Sequence, residues 1–580
     1  MASTLPSRRD VDFLLHDWLK SDRLQDRETI DALLDLAEKL ANEQFLTHYK
    51  QADAEEPFLD ASGVHICPPI GEALRQYAEL GLFSASFPEE AGGLGLPYLA
   101  YSAAFLFFSA ANIATAAYPM LTAANARLIL EFGNANQVAT FARPQIAGDW
   151  FGTMCLSEPQ AGSSLADVRT RAVADGEDEL GARYRLAGNK MWISGGDQDV
   201  SENIVHLVLA KIPDPDGTMP LGTAGISLFI VPKILPDGTR NDVSVAGLNH
   251  KMGYRGTANC LLNFGENEGA TGWIVGEPGQ GLRQMFLMMN EARISVGLGA
   301  AALGYRSYRL SVDYARERLQ GRPIGERAGP PVPIIEHPDV RRMLLQQKSY
   351  VEGALALCLY CAQLVDDEAD PDAAALLGLL TPVAKTWPSE YGLAANDIAI
   401  QIHGGYGYTR DFDVEQLWRD NRLNPIHEGT TGVQGVDLLG RKILRDGSAL
   451  PILERAIRNT ADAASSVEGL ADHARALLAA WQAIGDVLTV LRESDDRAAF
   501  DNATLFLWAF GHVVVAWLWL DQAVAAAGCG AQSGHDANFV EGKLRACRFF
   551  FETELPKTDA WLAVVRSGTD VASGASEDIF

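Results

Sequence analysis

At 580 residues the chain is too long for one hydrophobic core and is expected to divide into several domains. A formal net charge of −27 argues against nonspecific binding to nucleic acid or to an anionic membrane. It leaves room for an anionic coenzyme, because arginines and backbone N–H groups gather phosphate locally. A hydrophobic share of 47% beside 21% charged residues reads as a water-soluble globular protein.

The first ten residues, Met1 to Asp10, hold no apolar segment, so no secretory signal is expected. The seven cysteines are scattered, which points to a reducing compartment, the cytoplasm. Val11 to about Arg143 reads mostly as helix. Ile30, Leu33, Leu34, Leu36 and Leu40 recur with a helical period. A second helix is expected over 68–82, stopped by Gly81. The stretch 87–97 is broken by glycine and proline into a loop. Apolar segments suited to a helical bundle follow, up to Phe132.

The texture changes near Trp150. The runs 184–194, 204–210 and 226–231 are short and β-like, separated by Gly, Asp and Pro turns. A small β-barrel or sandwich is expected to about Gly281. Helices return from Met285 over 300–320, 337–365 and 373–402, and 446–451 reads as a linker. The remainder to Phe580 is alanine-rich and helical. The apolar run 505–520 is shorter than the roughly 20 residues a membrane span requires, and His512 interrupts it, so it reads as a core helix. Cys358 and Cys361 form a CxxC without a partner pair and read as buried helix residues; no metal site is expected.

Some stretches carry chemistry. Met154-Cys-Leu-Ser-Glu-Pro-Gln-Ala-Gly-Ser-Ser164 joins a strand-like start to a loop of small residues. Its N–H and hydroxyl groups suit a phosphate or flavin oxygen, and equally an ordinary turn. In Lys190-Met-Trp-Ile-Ser-Gly-Gly196, Trp192 suits stacking on a planar ring and Ser194 bonding its edge, or Trp192 is simply a strand aromatic. Gln401-Ile-His-Gly-Gly-Tyr-Gly-Tyr408 is glycine-rich between helices. Asn424-Pro-Ile-His-Glu-Gly-Thr-Thr-Gly-Val-Gln434 sets the carboxylate of Glu428 beside glycine, where burial makes a base of it.

In this order, with NHKMGYRGT and YARERLQGRPI between them, these motifs resemble the acyl-CoA dehydrogenase family of flavoproteins over roughly residues 30 to 445. The entry RRDVDFLLHDWL and the long tail resemble a bacterial subgroup with a C-terminal extension, which includes 3-methylmercaptopropionyl-CoA dehydrogenases and broad-range fatty acyl-CoA dehydrogenases. The resemblance implies an α+β, mostly α fold. Its parts are an N-terminal helical domain (1–150), a middle β-barrel domain (151–284), a C-terminal four-helix bundle (285–446) and an additional C-terminal helical domain (451–580).

The resemblance also implies roles. Glu428 matches the catalytic base. Leu156 and Ser157 match flavin contacts, Ser163 a diphosphate contact, and Trp192 and Ser194 the residues packing on and bonding the ring near N5. Arg318 and Gln320 match the stretch holding the FAD adenylate of the neighbouring subunit, with Gln401 and Gly405 on the opposite side of that shared site. Thr430 matches a residue near the diphosphate, while Arg293 and Gly429 match the substrate site. A cofactor site shared between subunits implies a homodimer or a dimer of dimers. Against the usual pattern, Ser164 replaces an aspartate, ERLQGRP replaces ERxxFG, and His427 stands where tyrosine is common.

The implied reaction forms a trans α,β double bond in an acyl-CoA thioester. Glu428 takes the α-proton, the β-hydride goes to flavin N5, and electrons leave to an electron-transfer flavoprotein. The thioester oxygen is met by the Glu428 N–H and a ribityl hydroxyl, each such donor worth about 3–4 kcal/mol. Three alternatives stand beside this reading: an acyl-CoA oxidase using O2, a nucleic-acid-associated relative, and a scaffold without activity. The acidic balance weighs against the second and the intact Glu428 against the third.

Overall fold

The computed structural model describes residues 4–494, 499–529 and 535–580. The chain forms two compact units: one of Met1–Leu34, Tyr98–Ala110 and Arg293–Phe580, the other of Asp35–Pro97 and Ala111–Ala292.

The helical stripe of residues 30–40 becomes α1 (Arg27–Leu40), with Ile30, Leu33, Leu34 and Leu40 buried. In the second unit, α2 (Pro68–Glu79) buries Ile70, Leu74 and Tyr77 and ends two residues before Gly81. Ahead of it lies a hairpin of β1 (Phe58–Asp60) and β2 (Gly63–His65), in a stretch expected to be mostly helical. The turn explains it. The Asp60 carboxylate accepts from the Ser62 N–H at 2.7 Å, and Gly63 has φ +133, which helix does not allow.

Asn112 breaks the long apolar run into α3 (Tyr98–Ala111), in the first unit, and α4 (Ile113–Phe132). Its side chain caps α4 by accepting from the Thr115 N–H at 3.3 Å. In α4, Asn125 is buried and donates to the carbonyls of Thr153 and Val205, fastening the helix to the sheet.

The strands are β3 (Phe151–Cys155), β4 (Arg171–Asp178), β5 (Gly181–Ser194), β6 (Ile204–Lys211), β7 (Ile226–Pro232), β8 (Val243–Leu248), β9 (Asn259–Phe264) and β10 (Ala270–Ile274). The pairings β10–β7, β7–β6, β6–β4, β4–β5 and β5–β10 close a ring, so the middle piece is a barrel. β9 and β8 extend from β5, and β3 pairs with β6. β6 and β7 are buried along their whole lengths, as the unbroken apolar runs imply. Leu207, Leu209, Leu228, Ile230 and Trp273 share one core with Leu128 and Phe141.

α5 (Gly281–Glu317) enters the first unit at Arg293 and leads there to α6 (Pro338–Asp366) and α7 (Pro371–His403), then the short α8 (Val414–Asn421) and α9 (Thr431–Val436). α5 and α7 touch backbone to backbone. A Cβ on Gly297 would lie 2.0 Å from the Ala384 carbonyl oxygen, and one on Gly392 would lie 2.5 Å from that of Ala300. Pro388, inside α7, has no N–H for the Ala384 carbonyl, which leaves that oxygen facing its neighbour.

The extension forms α10 (Leu450–Ser465), α11 (Ala471–Glu493), α12 (Ala503–Gly528), α13 (Ala537–Phe549) and α14 (Lys557–Ser567). The expected linker shrinks to a joint at Gly447, φ +68. The apolar run 505–520 lies within a helix of 26 residues, so length does not rule out a span; by length and composition α12 and α11 both qualify. Yet α12 is a core helix: Phe506, Phe510, Val513, Leu518 and Trp519 are fully buried. The Trp519 indole donates to the Ser349 carbonyl at 3.0 Å, and Trp387 donates to His512 Nδ1 at 3.2 Å. Cys358 and Cys361 are buried in α6, where burial raises both thiols.

Candidate active site

In the barrel unit, the loop after β3 is tied down by Glu158, a residue the sequence reading left without a role. Its buried carboxylate accepts from the N–H groups of Arg169 and Thr170 at 2.7 and 3.0 Å, and from the Thr170 hydroxyl at 2.6 Å. It also accepts from Lys190 Nζ at 2.9 Å, which donates in addition to the Leu156 carbonyl at 3.0 Å. Burial alone would raise the Glu158 pKa, but the Lys190 charge and these bonds overcome it and hold the carboxyl at about 2. Burial pushes the Lys190 ammonium down, against the pull of Glu158.

This fastening presents the expected ring-facing groups. The Met191 N–H donates to the Ser157 carbonyl at 3.0 Å, joining the two motif strands. Trp192 sits at φ +66 with 57% of its surface exposed, so it is not the buried strand aromatic of the bland reading. Ser194 Oγ accepts from Asn259 Nδ2 at 3.3 Å and keeps its own hydrogen to give. Ser163 is exposed next to Gly162, whose missing side chain faces open space. Leu156 and Ser157 are half-buried.

In the helical unit, Glu428 follows α8 and precedes α9. Its φ of +53 is unusual for a side chain that is not glycine, and Gly429 follows at φ +90. Gln434 Nε2 donates to the Glu428 carbonyl at 3.0 Å. Among the described residues the Glu428 N–H has no acceptor. A buried run of amides supports the loop from behind. His427 Nε2 donates to Asn424 Oδ1 at 2.9 Å, Asn424 Nδ2 to Asn421 Oδ1 at 2.8 Å, and Asn421 Nδ2 to the Ala300 carbonyl at 3.1 Å. The close crossing of α5 and α7 brings Ala300 within that reach. From α7, Lys385 Nζ donates to the carbonyls of Asn424 and Gly429, both at 2.7 Å.

Burial raises the Glu428 pKa above the ordinary carboxyl value, while the charges of Arg293 and then Lys385 restrain it. Arg293 is buried and paired with Asp437 at 3.0 Å, and its Nε has no partner among the described residues. Burial pushes Lys385 down to about 8 and His427 down to about 3, so the histidine is neutral beside the carboxylate. Thr430 caps α9, its hydroxyl accepting from the Val433 N–H at 3.4 Å.

A hollow of about 500 Å³ lies where the end of α5 meets the end of α7. Arg318 and Gln320 line one side, and Gly404, Gly405 and Tyr406 the other. The Arg318 guanidinium lies 5.5 Å from the Tyr406 ring centre. Gln401 is exposed on the last turn of α7 and does not line the hollow.

Sequence reasoning missed Glu158, Lys190 and Lys385. A lone lysine in the apolar run TPVAKTWP was the available signal for Lys385, since an unpaired cation in a core helix needs partners from elsewhere.

The chain matches the acyl-CoA dehydrogenase N-terminal domain over residues 27–149, the middle domain over 153–266 and the C-terminal domain over 279–444. Residues 453–575 match the acetyl-CoA dehydrogenase C-terminal like family. The chain is 34% identical to 3-methylmercaptopropionyl-CoA dehydrogenase of Ruegeria pomeroyi, over 95% of this chain and 96% of that one. It is 34% identical to the broad-specificity linear acyl-CoA dehydrogenase FadE5 of Mycobacterium tuberculosis, over 92% of this chain and 91% of that one. Its fold is that of Caenorhabditis elegans ACDH-11, solved with C11-CoA, at a TM-score of 0.79 and 20% identity over 98% and 95% of the two chains. An acyl-CoA dehydrogenase of Bacillus anthracis complexed with FAD superposes at 0.74 and 21% identity, over 95% of this chain and 89% of that one.

Proposed function

The chain belongs to the acyl-CoA dehydrogenase family, and on that premise we propose that it converts an acyl-CoA thioester to the trans-2-enoyl-CoA with Glu428 as the base. The observation that carries the reading is the carboxyl of Glu428. It is raised by burial and set on a left-handed turn whose N–H has no acceptor among the described residues. A raised carboxyl is a better base near neutral pH, and the α-proton of a thioester is a weak acid. In this reading the Glu428 N–H donates to the thioester oxygen and stabilises the charge that develops there. Arg293 and Lys385 keep the pKa from rising so far that the carboxylate is lost.

The residues fit FAD. Ser157, Ser163 and Ser194 offer hydroxyls, the Trp192 indole is exposed for stacking, and the hollow at Arg318 and Tyr406 has the size of a small-ligand site. FAD supplies the two-electron acceptor, its N5 receiving the hydride from the β-carbon. Because the resemblance assigns Arg318 and Gly405 to a neighbour's adenylate, the enzyme works as a homodimer or a dimer of dimers in this reading. Its acceptor is an electron-transfer flavoprotein. Its substrates are medium- or long-chain acyl groups or methylthio-substituted ones, as the resemblance implies; the named relatives are a 3-methylmercaptopropionyl-CoA dehydrogenase and a broad-specificity linear acyl-CoA dehydrogenase.

The test is anaerobic mixing of FAD-loaded enzyme with a panel of acyl-CoAs while flavin absorbance is followed. Bleaching by linear or methylthio acyl-CoAs supports the proposal. Reaction with short branched acyl-CoAs alone refutes the substrate class, and no bleaching with any thioester refutes the activity.

A further inference from the structure

We propose that Lys385 is a positioning residue for Glu428: its buried ammonium staples the loop on both sides of the carboxylate and holds the backbone between in its left-handed turn. The inference rests on Glu428 being the base. The two carbonyls that Lys385 holds, of Asn424 and Gly429, bracket Pro425, Ile426, His427 and Glu428. Lys385 is fully buried, and among the described residues it forms no ion pair. A buried cation without a carboxylate partner is costly, so its hydrogen bonds must be strong and well directed to keep it there. Burial pushes its pKa down to about 8, which leaves it charged at neutral pH.

A left-handed turn at a residue other than glycine relaxes unless its neighbours hold it. Gln434 holds the Glu428 carbonyl itself, and Lys385 holds the ends of the loop. Without the staple Glu428 returns to negative φ. That rotation swings the side chain and the N–H together, so the base and the donor to the thioester oxygen are lost at once. A misplacement of about 1 Å at a reacting group costs on the order of 10²-fold in rate.

Lys385 also acts through its charge. The groups facing Glu428 are Arg293 from α5, Lys385 from α7 and neutral His427 beside it. Around them, Asp437 neutralises Arg293 and faces Lys442, while Glu390 faces Lys385 and accepts from the Thr431 hydroxyl at 2.5 Å. Removing Lys385 leaves Arg293, already paired, as the remaining cation restraining the carboxyl.

The experiment compares FAD-loaded wild type with Lys385→Met, Lys385→Arg and Glu428→Gln. Flavin bleaching by acyl-CoA is measured across pH, and amide exchange is measured on peptides covering 422–434. Lys385→Met is expected to bind a non-reacting acyl-CoA analogue within about threefold of wild type, to slow bleaching about 10- to 100-fold, to shift the pH profile upward and to exchange the loop amides faster. Lys385→Arg keeps the charge but reaches differently, so the pH profile stays and the rate falls about 3- to 10-fold. A folded Lys385→Met with wild-type bleaching and loop exchange overturns the inference. Should Lys385→Met not fold, a wild-type rate in Lys385→Arg overturns it, and a lowered rate at an unshifted profile supports it. Glu428→Gln separates the two claims: bleaching at the wild-type rate in that variant removes the base, whereas its loss beside an unaffected Lys385→Met removes only the staple.

Discussion

Lys190 Nζ and Glu158 Oε1 lie 2.9 Å apart with side chains 0% and 3% exposed, and they tie the loop after β3 to β5. The carboxylate takes the backbone N–H groups of Arg169 and Thr170 while the ammonium takes the Leu156 carbonyl. Ser157 and Trp192 are thus placed by a pair that needs no contact with a ligand.

Lys190→Met should cost about 3–5 kcal/mol in denaturant unfolding, because it leaves a buried carboxylate without its cation. The double variant Lys190→Met with Glu158→Gln should cost less than Lys190→Met alone. Additive losses, the double variant costing the sum of the two single variants, would show that the two groups are not coupled.

Glu428→Gln should retain FAD and acyl-CoA binding, since its shape and its N–H persist, and lose flavin reduction by about 10²- to 10⁴-fold. Rapid mixing under anaerobic conditions reads both. If Glu428 only shapes the entry to α9, stability falls by about 1 kcal/mol and the rate stays.

The fold should lose stability as pH falls below about 6.5, through two buried histidines and above the ordinary carboxyl range. Burial pushes His206 down to about 4 and His427 down to about 3. Both are neutral in the folded protein and titrate near 6.5 once unfolded, so the unfolded state binds the extra protons. Their contribution is complete above pH 6.5 and is lost as pH falls toward 4 and 3. Each adds a slope of at most about 1.4 kcal/mol per pH unit. Glu158, held at about 2, acts in a lower window, from its ordinary carboxyl range downward. Melting curves between pH 7 and 4 check this, and a flat profile would contradict it.

Gly392→Ala and Gly485→Ala should differ in sign. At Gly392 a methyl meets the Ala300 carbonyl at 2.5 Å, pushes α5 from α7 and strains the bond from Asn421; a loss of about 1–3 kcal/mol and of turnover is expected. Gly485, exposed within α11, meets nothing within 4 Å, so alanine there gains about 0.5–1 kcal/mol. Melting temperatures and steady-state rates of the two variants decide it.

Local signals were legible in the sequence. The stripe of α1, the unbroken apolar runs of β6 and β7 and the glycines around 404 and 429 each say what they are within a few residues. The hairpin at 58–65 was missed because its strands are three residues each, too short for a period to show. The length of α12 was underread because alanines continue the helix beyond the strongly apolar core. Lys385 and the amides at 421 and 424 were silent for a different reason. Their meaning lies in carbonyls and side chains brought together by the approach of α5 to α7, and no spacing along the chain records it.

The ends of the chain meet. Asp10 pairs with Lys543, His535 Nε2 lies 2.8 Å from Asp17, and Arg9 pairs with Asp536 at 2.8 Å. His535 and Asp17 are 518 residues apart. A ribosome working at roughly 5–20 residues per second emits the second partner some 25–100 s after the first. Through that interval these three contacts are unmade, and α6 and α7 leave open the face that α12 will cover. The enzyme therefore cannot finish folding from its N-terminus as it emerges. A chain stopped short of α12 would not be a smaller enzyme but an exposed core, and its fate in the cell belongs to chaperones and proteases.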